Sequence, residues 1–178
     1  MRKLNLEILN QGLGGISKGM AVYYLECLKV ALAKNGHKSG VILKLEGFFK
    51  ETFVLDWQEI SSETVVLWHN QSELAEKAAV AVVLLLMQSL TEYQFFEQSE
   101  LGSGIDYWMS KKYESDKLIS IREARLEISG ILEANTSNSV NMRVNLKRKQ
   151  SKKSDKSNLP AWIAVVDFGI PKAKIEKK

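Results

Sequence analysis

The chain has 178 residues, 45% of them hydrophobic and 26% charged, with one cysteine and a formal net charge of +4. This is the composition of an ordinary globular protein with enough residues to close a hydrophobic core, and a lone cysteine excludes an internal disulfide and a cysteine-built zinc site. The charge is uneven: from Ser139 onward 11 Lys+Arg stand against 3 Asp+Glu, which fits either a polyanion partner or a solvated lysine-rich surface.

Taken in order, Leu4–Leu9 alternates apolar and polar residues and predicts a short strand. MRKLNLEILN has no long apolar segment, so no signal peptide is expected and a cytoplasmic location is. The glycine-rich stretch Gln11–Gly19 fails the phosphate-loop order, because Lys18 follows Ser17 and precedes Gly19; it reads as a flexible connector. Met20–Asn35 places Ala21, Tyr24, Leu25, Leu28 and Leu32 on one helical face, and Asn35-Gly36 stops the helix. Cys27 on that helix reads as a buried hydrophobe. Val41–Leu45 and Thr52–Asp56 predict a hairpin, and Ser61–Trp68 is either a strand or the approach to a helix.

Gln71–Glu97 predicts the longest helix. Its apolar middle, Ala78–Met87, is far shorter than the ~20 residues of a membrane span and reads as a buried core helix. Ile105–Met109 and Leu118–Ile128 predict two strands joined by a polar turn at Lys111–Lys117. Ser139–Gln150 predicts a basic helix with a serine cap, Ser151–Asn158 a mobile polar loop, and Ala161–Phe168 a strand buried on both faces. The tail KAKIEKK reads as frayed. The order is β-α-β-β-(β)-α-β-β-α-β, a mixed α/β domain over residues 1–178.

Strand parity then singles out two acids. Glu123, Arg125, Glu127 and Ser129 share one face, and the opposite face, Ala124, Leu126, Ile128 and Gly130, is small or apolar and suits the core helix. The polar set is expected to face water, a ligand or a partner. If the two strands pair, Asp106 meets Glu127, and two neighbouring carboxylates suit Mg²⁺. Each acid also has a plain structural account: Asp106 as a strand-entry hydrogen-bond acceptor, and Glu127 as an ion-pair partner of Arg125 or Arg143. Of Tyr107 and Trp108, at least one belongs in the core. His37 and His69 stand alone, Ser129 lacks a nucleophile-elbow context, and Asp167 reads as a local hydrogen-bond acceptor.

Gly104-Ile105-Asp106 followed by Glu127-Ile128-Ser129 resembles the strand motifs of the PD-(D/E)xK (restriction-endonuclease-like) nuclease superfamily. The resemblance covers roughly residues 71–170. It implies a central mixed sheet flanked by helices, with a core of order αβββαβ, to which residues 1–70 add a β-α-β-β extension. It also implies a metal-dependent nuclease in which Asp106 and Glu127 bind Mg²⁺ or Mn²⁺, with Glu92, or else Glu97, as a further ligand. Ser129 stands where the family has its catalytic lysine, so Lys147 or Arg143 on the following helix is expected to supply that charge. Arg143, Lys147 and Arg148 are the expected contacts to phosphates of DNA or RNA. The alternative is a non-catalytic member that keeps the fold and binds nucleic acid or protein, a second copy of itself included.

Overall fold

A computed structural model describes residues 1–112 and 121–178 of the chain. The turn expected at Lys111–Lys117 and the start of the strand expected over Leu118–Ile128 fall mostly on residues 113–120, outside the described residues. Strand β1 (Arg2–Asn5) is shorter than the alternation suggested. The Asn5 side chain accepts the Glu7 N–H, and Leu6–Gln11 coils into a 3₁₀ helix that buries Leu6 and Leu9. Helix α1 (Lys18–Lys34) starts on a Ser17 cap and ends before Gly36, whose φ of 72° is the left-handed stop. Strands β2 (Ile42–Gly47) and β3 (Glu51–Asp56) form the expected antiparallel hairpin. The undecided segment is helical, α2 (Ser62–Leu67), because the Ser61 hydroxyl caps it through the Thr64 N–H.

The long helix ends sooner than its periodicity implies. Helix α3 (Gln71–Leu90) stops where Thr91 turns its N–H and its hydroxyl onto the Met87 carbonyl, and residues Phe95–Gln98 form strand β4 instead. Strands β5 (Tyr107–Ser110) and β6 (Ala124–Ile131) follow, then helix α4 (Val140–Gln150) on its Ser139 cap. The expected loop Ser151–Asn158 is largely a 3₁₀ helix, Ser151–Ser157, anchored by the buried Ser151 and Ser154. Strand β7 (Ala161–Asp167) is buried along its whole length, as an unbroken apolar run requires. The lysine-rich tail is no fray: Lys172–Lys177 is strand β8, with Ala173 and Ile175 fully buried between outward lysines.

All eight strands join one mixed sheet in the order β1-β3-β2-β8-β7-β6-β5-β4. Strand β8 is the seam, parallel to β2 of the first 70 residues and antiparallel to β7. From residue 71 to Asp167 the order is α3-β4-β5-β6-α4-β7: a three-strand antiparallel meander, then a helical crossover into a parallel strand. Helices α1 and α3 pack on one face of the sheet and make the main core, which runs from Leu4 to Ile175. At Gly130 the backbone of β6 touches α3 so closely that a Cβ would lie 1.8 Å from the Ala75 carbonyl oxygen. On the other face α4 covers a smaller cluster of Ile131, Val140, Val144, Ile163 and Val165. The glycine-rich connector is packed as well: Phe96 donates its N–H to the Gly14 carbonyl, which covers the free edge of β4.

Candidate functional site

Strands β5 and β6 pair Tyr107 with Leu126, Trp108 with Arg125 and Met109 with Ala124, and Asp106 immediately precedes this ladder. Its carboxyl group lies close enough to that of Glu127 for the two to interact, and both line one cleft. Asp106 closes the ladder at this point. Its N–H donates to the Leu126 carbonyl at 2.9 Å, and its Oδ2 accepts the Ile128 N–H at 2.7 Å in place of a backbone carbonyl. The Asp106 carbonyl instead accepts the Ser99 N–H, where β4 gives way to the loop Ser99–Ile105.

The third member comes from α4. Val140 and Val144 seat that helix on the sheet, and Lys147, one turn on, points the same way. Its Nζ donates to Glu127 Oε1 at 2.6 Å, with the lysine side chain 17% exposed and the glutamate side chain 5%. Burial raises the Glu127 carboxyl to about 7, the neighbouring Asp106 charge pushes in the same direction, and Lys147 opposes both. Lys147 is paired with Glu127, while the Asp106 carboxylate accepts the Ile128 N–H. If both are ionised, one negative charge is left over in a partly buried place, which is unfavourable unless a cation or a proton joins it.

Asp106 and Glu127 line a cleft of about 430 Å³ together with Gln98, Glu100, Gln150 and Lys153. The loop over this cleft is drawn down at Gly104, which has φ 81° and lies so near the end of α4 that a Cβ would be 2.4 Å from the Gln150 carbonyl oxygen. A side chain there would lift the loop off the site.

The other expected residues are placed as follows. Ser129 shares the face of Glu127 but is buried beneath α4 beside Val165, 2% exposed. The polar face of β6 is therefore not open to water along its length, contrary to expectation, because α4 and the 3₁₀ segment lie on it. Arg125 explains how: it is 4% exposed and donates to the Leu159 and Ser151 carbonyls, to Ser154 Oγ and to Asp155 Oδ1, tying the 3₁₀ helix to the sheet. Arg125 therefore holds the segment that carries Lys153 and is not the partner of Glu127. Glu92 follows α3 and pairs with Lys111 at 2.6 Å, at the opposite end of β5 from Asp106. The shortened helix put it there. Glu97, on β4 opposite Trp108, pairs with Arg122. Among the described residues no group of three or more His, Cys, Asp or Glu side chains is placed to hold a metal, so Asp106 and Glu127 stand as a pair.

The expected nucleic-acid contacts are engaged within the protein. Arg143 donates to Asn138 Oδ1 at the far end of β6, Arg148 pairs with Glu176 of β8, and Lys147 pairs with Glu127. Just beyond them Lys149, Lys152, Lys153 and Lys156 form no ion pair with a described residue. The run SKKSDK was the signal for them, masked by its likeness to a solvated loop. Away from the site, Tyr107 shares a hydrogen bond with Tyr24 in the core, His37 contacts the Phe168 carbonyl, and Asp167 accepts the Gly169 N–H. Cys27 is fully buried. Among the described residues no helix is long and apolar enough to cross a membrane. No protein-family model, no curated protein and no solved structure matches this chain.

Proposed function

We propose that this chain is a divalent-metal-dependent nuclease of the PD-(D/E)xK type, hydrolysing phosphodiester bonds in nucleic acid. The observation that carries the reading is Asp106 and Glu127 lining one open cleft with their carboxyl groups close enough to interact, and Lys147 on Glu127. The order α3-β4-β5-β6-α4-β7 around the pair supports it too, since it is the core order of that superfamily. The pair fits Mg²⁺ or Mn²⁺: two carboxylates with unbalanced charge suit a hard cation that keeps several of its waters. Such an ion, when bound, would polarise a phosphoryl oxygen and acidify a water.

The chain's own residues divide the remaining work. Asp106 is fixed by the Ile128 N–H, so its carboxylate is oriented before any ligand arrives. Lys147 holds an ammonium beside Glu127, filling the role that Ser129 cannot. Lys153 at the cleft wall offers positive charge to a phosphate. Hydrolysis adds water across one P–O bond, giving a phosphomonoester and an alcohol.

The test is cleavage of DNA and RNA oligonucleotides with Mg²⁺ or Mn²⁺, against a chelator control, by wild type and Lys147→Met. The wild type is expected to cleave. Lys147→Met is expected to lower kcat by about 10²–10³-fold, the usual cost of one charge-stabilising donor, with KM little changed. Absence of cleavage under every condition overturns the reading. It would favour the second one, a non-catalytic subunit binding nucleic acid or protein. The closed Lys147–Glu127 pair and the buried Ser129 are what speak for that alternative.

A further inference from the structure

Beside the carboxylate cleft lies a second hollow of about 540 Å³, lined by Glu100, Gly102, Ser103, Trp108, Lys153, Ser154, Lys156 and Ser157. The two hollows share Glu100, Gly102 and Lys153, so they are adjoining lobes of one depression. Each lobe has the volume of a small-ligand pocket, within the usual range of roughly 300–1,000 Å³. Their chemistry differs. The first holds the acids Asp106 and Glu127, and the second holds an aromatic residue, three serines and two lysines against the single acid Glu100.

Trp108 owes its place to strand parity. Tyr107 and Met109 turn into the main core, and Trp108 turns to the opposite face, where it is 8% exposed and the Arg122 guanidinium lies 4.6 Å from its ring centroid. Ser154 is held by Arg125, which fixes the lobe's wall against the sheet. Lys153 and Lys156 are exposed and form no ion pair with a described residue. A hollow lined by an aromatic residue, three serines and two exposed lysines is a combination that takes a nucleobase and its flanking phosphates.

Resting on the nuclease reading above, we propose that this second lobe is a nucleotide subsite, which receives an unpaired base adjacent to the scissile phosphate and makes single-stranded nucleic acid the preferred substrate. Lys153, shared by both lobes, grips the phosphate between the scissile bond and that base, and Lys156 meets the phosphate beyond it. A base paired in a duplex is stacked between its neighbours and cannot enter such a hollow without first leaving the stack.

The experiment compares two phosphodiesters on the full chain. Bis(p-nitrophenyl) phosphate has no flanking phosphate for Lys153 or Lys156 to hold, and a short single-stranded oligonucleotide spans both lobes. Lys156→Glu lies on the exposed 3₁₀ segment and changes no core contact, and Trp108→Phe keeps a ring in the lobe without the indole. Lys156→Glu is expected to lower kcat/KM for the oligonucleotide about tenfold more than for the small ester, through KM. Trp108→Phe is expected to act in the same direction by a smaller factor. Wild type is expected to cleave the single strand at least about tenfold faster than a blunt duplex of the same sequence. Equal losses on both substrates in both variants, or equal rates on single strand and duplex, overturn the subsite and leave the nuclease reading standing. No hydrolysis of either substrate overturns both.

Discussion

Asp106→Asn is expected to fold normally and to lose metal-dependent phosphodiester hydrolysis. The asparagine Oδ1 can still accept the Ile128 N–H that anchors this side chain, so the end of the β5–β6 ladder is kept. What disappears is one of the two carboxylate charges that line the cleft. Removing even an outer-shell partner of a metal ligand costs about 10- to 100-fold, so loss of a direct ligand should cost at least about a hundredfold. Glu127→Gln should behave alike, because Lys147 can donate to the amide oxygen as it does to Oε1. Initial rates with Mg²⁺, alongside circular dichroism and thermal melting, check both variants. A variant that melts like wild type and cleaves like wild type would remove Asp106 from the site.

The largest effect on stability is expected at Gly130. A methyl group there would lie 1.8 Å from the Ala75 carbonyl oxygen and 2.4 Å from its carbon, both backbone atoms of α3 that no side-chain rotation can move. Gly130→Ala must therefore push α3 away from β6 along one of the most extensive contacts in the molecule. Overpacking of this kind costs about 3 kcal/mol or more. For a domain of this size that is a fall in Tm of roughly 6–12 °C, or failure to fold. Because Glu127 lies on the same strand, the carboxylate pair should be disturbed with it. A fall of less than about 2 °C would show that α3 can ride off the sheet without loss, contrary to the close packing seen.

Much of this fold is readable from local chemistry. The spacing of Tyr24, Leu25, Leu28 and Leu32 gives α1, Asn35-Gly36 ends it, and the unbroken apolar run gives the doubly buried β7. Parity along β6 is enough to put Glu127 on the face opposite Leu126 and Ile128. The failures have physical causes. Leu86, Leu90, Tyr93 and Phe96 keep helical spacing straight through the turn at Thr91, so the pattern hides both the end of α3 and the start of β4. That error also carried Glu92 to the wrong end of β5. In β8 the lysines conceal an alternation that Ala173 and Ile175 obey. Burial of the polar face of β6 could not be read locally, because it depends on Arg125 meeting Asp155 and the Leu159 carbonyl well along the chain. For the same reason the basic residues named from α4 proved engaged, while their neighbours Lys152, Lys153 and Lys156 form no ion pair with a described residue.

Whether Asp106 and Glu127 form a metal site is decided by titrating the protein with Mn²⁺ in a calorimeter. The Glu127 carboxyl is raised to about 7, so below that pH it is largely protonated and the ion must displace a proton; above it the ligand is already ionised. Saturable binding of Mn²⁺ is expected, tighter at pH 8 than at pH 6. At pH 6 it should be accompanied by proton release, visible as a heat that depends on the buffer's ionisation enthalpy. Both signals should vanish in Asp106→Asn. The absence of saturable Mn²⁺ binding at pH 8 in a folded wild-type protein would contradict the account, leaving Lys147 and Glu127 as a structural ion pair.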